Sequence, residues 1–393
     1  MRKNWLRVVY YLFFNFASLY LIASGLRKLF GLSKNLVVVL GALFALIMIG
    51  LTTIEFLIRI SEKRRKHLAE NLKSPHRELL ERRLEAIRNP PFEIQEFLAE
   101  LDSYYVSGLT TKTGDHRSAA DFKGKYINVV GGIRKGLISN KNCERTVFML
   151  GGSTVACLEG PDEWTLPSRL QKQFNDFEVP IEVVNLGVSG STTVDRFKAA
   201  NSCKLVKPND VLLFWFGVNE GKGLWGRRGR GALAFWPGYV EILGLLSRRS
   251  RILVIRLLYL ATVVFDEKAQ RRLARSRAKS LKRQFENEAD RWSNHSVKLI
   301  AGLQPTIFSS ETDTEFRSEL SKNWKPEMEA IMRIQYEEFC AAFQNSEYFI
   351  DFSRSTNLSV YDSFVDWAHT SWLGNEIIAE KIALSRTFRT LAL

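Results

Sequence analysis

The chain has 393 residues, 46% hydrophobic and 25% charged, with a formal net charge of +14. That composition is ample for a buried core, and the length suits two or three domains. The basic excess does not read as nucleic-acid binding, because the aromatic residues sit in apolar runs and are not interleaved with the basic stretches.

Residues 8–26 and 36–54 are each uncharged over 19 positions, long enough to cross a bilayer as helices at about 1.5 Å rise per residue. They predict a transmembrane hairpin within residues 1–60. A cleaved signal peptide is the rival reading of the first run, but the run exceeds a normal signal core. Eight basic residues flank the outer ends (Arg2, Lys3, Arg7, Arg59, Lys63, Arg64, Arg65 and Lys66), against Arg27, Lys28 and Lys34 in the linker. The positive-inside rule then places the remainder of the chain on the cytoplasmic face of a membrane of bacterial inner-membrane type, with a periplasmic orientation as the alternative.

Residues 61–123 read as a charged helical stalk or linker, or as helices packed on the following domain, interrupted at Pro90 and Pro91. Residues 104–123 are polar and irregular. Three apolar runs follow, 145–150, 181–186 and 210–216, each strand-like and each ending at a glycine-bearing segment: Gly151-Gly152-Ser153-Thr154, Gly187-Val188-Ser189-Gly190 and Gly217-Val218-Asn219-Glu220. Their polar residues therefore fall at the carboxyl ends of neighbouring strands, where open α/β sheets hold ligands.

A helical, basic insertion occupies residues 221–295. It opens with a Gly/Arg/Trp-rich loop at 221–231, which either roofs a pocket or is a solvated surface loop. An apolar run at 240–265 leads to a stretch carrying Lys268, Arg271, Arg272, Arg275, Arg277, Lys279, Lys282 and Arg283. A basic helix behind an apolar one suits an anionic membrane surface. A helical pair covering the domain with a solvated basic face is the other reading. Strands are expected at 298–304 and 348–352, followed by Asp366-Trp367-Ala368-His369 and a closing helix over 375–389.

In order and context, these four polar blocks resemble the SGNH (GDSL-like) hydrolase superfamily, and Ile127–Arg134 (INVVGGIR) resembles its lead-in. The resemblance covers residues 124–393 and implies a flavodoxin-like, three-layer α/β domain with a central parallel sheet. It also implies Ser153 as nucleophile, His369 as base and Asp366 as its partner, with an oxyanion hole made by Ser153, Gly190 and Asn219. Gly152 stands where the family has Asp, and Glu220 where Asp is common. The GxSxG elbow of α/β-hydrolases is absent, since Val155 occupies its last position.

The chemistry suits these residue types. A serine hydroxyl needs an adjacent base held in one tautomer by a third group, and one turn of chain lets Asp366 reach Nδ1 while Nε2 faces Ser153. Prepositioned donors stabilise the developing oxyanion, and Gly190, without a Cβ, permits close backbone approach. Read singly, Asp366 is a helix N-cap or loop carboxylate, Gly187 and Gly190 are turn glycines and Asn219 caps its own turn.

His67, His76, His116 and His295 lie in charged or polar segments and read as surface residues. Cys143, Cys157, Cys203 and Cys340 are dispersed, compatible with zero, one or two disulfides, and no metal or nucleotide motif occurs, so no cofactor is expected. The activity implied is a membrane-anchored serine esterase or deacylase acting on an acylated lipid or glycan. An O-acyltransferase using the same acyl-enzyme, or a non-catalytic scaffold, are the alternatives. The sequence leaves the oligomeric state open.

Overall fold

The computed structural model describes residues 75–87, 89–222, 267–309, 326–354 and 360–392. The two expected transmembrane runs, and the segment at 223–266 within the insertion, lie outside the described residues. Among the described residues no helix is long and apolar enough to cross a membrane.

The chain enters through α1 (Pro75–Ala86) and α2 (Ile94–Ser107), then β1 (Thr110–Thr113), β2 (His116–Ala119), β3 (Phe122–Lys123), β4 (Asn128–Val130) and β5 (Ile133–Arg134). The central strands are β6 (Arg145–Gly151), β7 (Ile181–Asn185), β8 (Val211–Phe216), β9 (Lys298–Leu303) and β10 (Phe349–Asp351). Between and after them lie α3 (Ser153–Ala156), α4 (Leu166–Asp176), α5 (Thr193–Ser202), α6 (Val218–Lys222), α7 (Glu267–Ser293), α8 (Pro326–Phe343), α9 (Val360–Ser363), α10 (Trp372–Leu384) and α11 (Arg386–Ala392).

Strands β6 to β10 are parallel to one another and run in the order β10-β9-β8-β6-β7. Numbered by appearance this is 2-1-3-4-5, a doubly wound arrangement whose crevice lies where the order reverses beside β6. Antiparallel β5, β4 and β3 extend the sheet beyond β7. β8 is buried at every position, as expected of a strand covered on both faces. Its Phe214 and Phe216 meet Phe285 of α7, and Phe216 also meets Phe339 and Phe343 of α8. Helices α4, α10 and α11 form the other layer, where Phe174 stacks on Phe388.

Three local expectations are corrected. Residues 104–123 are not irregular: β1 and β2 pair as a hairpin whose two-residue turn has Gly114 at φ +60°, a conformation that glycine adopts without strain. The closing helix over 375–389 starts earlier, at Trp372, because Ser371 caps it by accepting from the Gly374 N–H. It is also two helices, because Ser385 is extended at its end and begins α11. The side chain of His116 is only 10% exposed beside Asp115, so it is not a surface residue.

Of the two readings for the charged segment, residues 75–107 show the packed one. Leu84, Phe97, Leu98 and Leu101 bury against Ile127, Val129, Val365 and Trp372, and Arg83 donates to the Phe364 carbonyl. Glu100 accepts from the backbone N–H groups of Lys125, Tyr126 and Ile127. Helix α7 also covers the domain. Its Ala274, Ala278, Leu281 and Phe285 are buried, and its basic residues are partly committed to ion pairs, Arg271 with Glu337 and Arg275 with Glu338 of α8.

Candidate active site

Ser153 begins α3 directly after β6, so the strand and the Gly151-Gly152 turn lift its side chain to the carboxyl edge of the sheet. His369 comes from the loop between α9 and α10, which a bridge between Phe364 and Thr370 closes. Across this separation in sequence, Ser153 Oγ and His369 Nε2 stand 2.7 Å apart. On the far side of the ring, Nδ1 lies 2.7 Å from Asp366 Oδ2.

Asp366 is 5% exposed. Burial on its own would push its carboxyl up, but three influences outweigh it: the positive charge of His369, the hydrogen bond from that ring, and those donated by the Ala368 and His369 N–H groups. The net effect is a carboxyl held well below the usual range. Asp366 Oδ1 accepts these two backbone bonds at 2.8 and 2.7 Å. Ionised Asp366 can only accept, so Nδ1 carries the proton and Nε2 is left to accept from Ser153 Oγ–H. This geometry supplies a hydroxyl, a base and an orienting carboxylate in line.

The oxyanion candidates cluster around the same turn. Asn219, on α6 after β8, donates from Nδ2 to the Ser191 carbonyl at 2.7 Å, so it reaches the segment that carries Gly190. A Cβ on Gly152 would collide with Asn219 Nδ2 and stand 3.2 Å from the Ser191 oxygen. A side chain at 152 therefore requires the Asn219 amide to shift. Among the described residues, the backbone N–H groups of Ser153 and Gly190 donate to no other residue, which leaves them directed at the space beside Ser153 Oγ.

Gly190 has a φ of +71°, a conformation that itself favours glycine, and a Cβ there would meet no protein atom within 4 Å. Gly187 is fixed by close approach within the protein, since its Cβ would strike the backbone of Val155 and Ala156.

Sequence reasoning missed three contributors. Glu220 accepts from the Thr193 N–H and hydroxyl through Oε1, at 2.7 and 2.8 Å, and from the Gly217 N–H through Oε2 at 2.8 Å. It thereby ties the Asn219 turn to the start of α5. Buried Arg134 grips the loop after α3: it donates to the carbonyls of Ala156, Cys157 and Gly160 and pairs with Asp162 at 2.9 Å. Its position at the end of the INVVGGIR stretch was the available signal. Glu159, in that loop, lies 3.6 Å from His369 Nε2, and nothing in its sequence context announced it. The four cysteines are free thiols, and among the described residues no group of three or more His, Cys, Asp or Glu side chains is arranged to hold a metal.

No protein-family model matches the chain, and no curated protein matches it. Solved structures that are similar to it include a gut microbial diltiazem-metabolizing enzyme, at 15% identity and TM-score 0.35, over 66% of this chain and 48% of that one. The chain thus spans about half the length of that protein. Two more are the acetyl xylan esterase AlAXEase (14% identity, TM-score 0.35, 61% of this chain and 100% of that one) and a lipase/acylhydrolase from Enterococcus faecalis (15%, 0.34, 62% and 96%). Likeness of this degree does not bear on activity or substrate.

Proposed function

We propose that the chain is a serine esterase or deacylase of SGNH type, with Ser153 as nucleophile, His369 as general base and Asp366 as the residue that orients it. One observation carries the reading: the line from Ser153 Oγ through His369 to Asp366, made of two 2.7 Å contacts at the carboxyl edge of a parallel sheet.

In this mechanism His369 Nε2 takes the Ser153 proton as Oγ attacks the acyl carbonyl. Asp366 stabilises the imidazolium, and the Ser153 N–H, the Gly190 N–H and the Asn219 amide receive the oxyanion. The imidazolium then gives its proton to the departing alcohol, leaving an acyl ester on Ser153. Water, losing a proton to Nε2, attacks that ester, and collapse of the second tetrahedral intermediate returns the acid and the free serine.

The substrate class follows from the segments flanking the site in sequence. Two predicted spans and a basic stretch favour an acyl group on a membrane lipid or on a lipid-linked glycan, with the catalytic unit on the cytoplasmic side. A C-terminal reporter active only in the periplasm stays silent under this orientation, and a strong signal reverses it. The test of the activity is fluorophosphonate labelling that is lost in Ser153→Ala, and labelling without ester hydrolysis would point to transfer onto an acceptor other than water.

A further inference from the structure

The turn that carries Gly190 is fixed by hydrogen bonds. Its neighbour Ser191 donates its N–H to the Val188 carbonyl at 3.1 Å, and the Ser191 carbonyl accepts from Asn219 Nδ2 at 2.7 Å. Gly190 itself is exposed, and a Cβ on it would meet no protein atom within 4 Å. Without a side chain to pack, and with the conformational freedom of glycine, it can be held directly only by its N–H and its carbonyl. The cycle proposed above reserves the N–H for the oxyanion, which leaves the carbonyl.

That carbonyl is taken by Arg117. From β2 of the hairpin, Arg117 Nη2 donates to it at 3.1 Å.

The hairpin can act as an anchor because it is itself tied down. Arg196 of α5, 2% exposed, donates from Nη2 to the Arg117 carbonyl and from Nη1 to the Leu186 carbonyl, the latter at 3.3 Å. One buried guanidinium thus joins the hairpin backbone to the point where the chain leaves β7 for the Gly190 turn. Letting go of either carbonyl would leave a charged donor without that partner away from water, which is costly. At the hairpin tip, Asp115 pairs with Lys198 of the same helix at 3.7 Å. Ser118 lies close to Gly132, where a Cβ would stand 3.0 Å from its side chain.

Residues 186–191 are therefore held near both ends, at Leu186 by Arg196 and at Gly190 by Arg117, and both holds meet at residue 117. An oxyanion donor has to stand about 2.7–3.1 Å from the atom where charge develops, so a small displacement of Gly190 removes its contribution.

We propose that Arg117 is a positioning residue that holds Gly190 in place for oxyanion donation, which makes the β1–β2 hairpin part of the catalytic unit. The proposal rests on the reading of Ser153 as nucleophile and of Gly190 as an oxyanion donor.

The test compares wild type with Arg117→Met and Arg117→Lys as full-length proteins in detergent micelles. Three quantities are read: kcat and KM on a short-chain aryl ester, the rate of fluorophosphonate labelling, and the Gly190 amide resonance in ¹⁵N-glycine spectra, assigned by its loss in Gly190→Ala. Arg117→Met is expected to lower kcat and the labelling rate about tenfold to a hundredfold with KM unchanged, and to move and broaden the Gly190 resonance as the residue samples further conformations. Arg117→Lys, whose ammonium can still donate, is expected to recover part of the loss, and it carries the test if Arg117→Met fails to fold. Kinetics and a Gly190 resonance that match wild type in Arg117→Met overturn the proposal and leave the nucleophile intact. A fall in kcat with the Gly190 resonance sharp and in place also overturns it, since the cation then acts through its charge alone. A rise in KM alone does the same, by making Arg117 a substrate contact. A Gly190 resonance that moves and broadens in Arg117→Met, in a protein whose wild type never labels, upholds the anchor and removes the hydrolase reading instead.

Discussion

Asn219 occupies the space that a side chain on Gly152 would need, so the residue before the candidate nucleophile and the candidate oxyanion donor are fitted to one another. Gly152→Ala is therefore expected to displace the Asn219 amide without touching Ser153 or His369. It should lower kcat by roughly 10²–10³ with little change in KM, as Asn219→Ala should, because the donor acts mainly in the transition state. The double variant is expected to be no worse than the poorer single one, since both remove the same interaction. Steady-state kinetics on a short-chain aryl ester check this, and a rise in KM alone would make Asn219 a substrate-binding residue.

Asp366→Asn keeps the shape of the loop but not the charge. The amide no longer requires Nδ1 to carry the proton, and kcat is expected to fall by roughly 10⁴, as when the tautomer is lost in other triads. The effect on stability has a definite sign. The Asp366 carboxyl is held below the ordinary aspartate value of 3.8, so its contribution is fully present above that value and is lost as pH falls through the lowered one. Denaturant melts of wild type and Asp366→Asn should differ at pH 7 and converge in strong acid. A gap that widens on acidification contradicts the assignment.

Glu220 satisfies three donors from two segments. In Glu220→Gln one carboxylate oxygen becomes an amide nitrogen, which cannot accept, so one of the N–H groups of Thr193 and Gly217 loses its partner. The expected cost is about 1–3 kcal/mol of stability, measured by denaturant unfolding, with a fall in kcat because Gly217 carries the turn to Asn219. An unchanged midpoint would mean that the brace is not needed.

Arg134 is 3% exposed and holds both Asp162 and the loop carbonyls. Arg134→Met leaves the half-buried Asp162 carboxylate, which keeps the Asn128 amide, without its cation, and several carbonyls without their donor. Breaking such a pair typically costs about 3–5 kcal/mol. Thermal melts of Arg134→Met and of Arg134→Met/Asp162→Leu check this: the double variant should recover part of the loss, and equal melts for the two would contradict the pairing.

The parts of the fold legible in sequence were those where a single local pattern suffices. Strands β6 to β9 are nearly continuous apolar runs, as strands covered on both faces are, and Ser153, Gly190 and Asn219 follow such runs directly. His369 and Asp366 were legible as a pair because one turn separates them. What was not legible depends on distant chain. Glu159 sits in a loop whose sequence suggests only a turn, and its placement against His369 is set by Arg134 from another strand. The hairpin of β1 and β2 is polar, since much of it faces solvent, and so it lacks the alternation that marks a half-buried strand. Whether α1 and α2 stand away or pack could not be read from charge patterning, because the deciding partners, Ile127 and Trp372, lie far along the chain.

The most direct test of the central claim is fluorophosphonate labelling of the detergent-solubilised full-length protein beside Ser153→Ala, with short-chain aryl esters assayed in parallel. The account predicts a single labelled serine, Ser153, and ester turnover that disappears with it. Well-folded wild-type protein that neither labels nor hydrolyses any ester would contradict it.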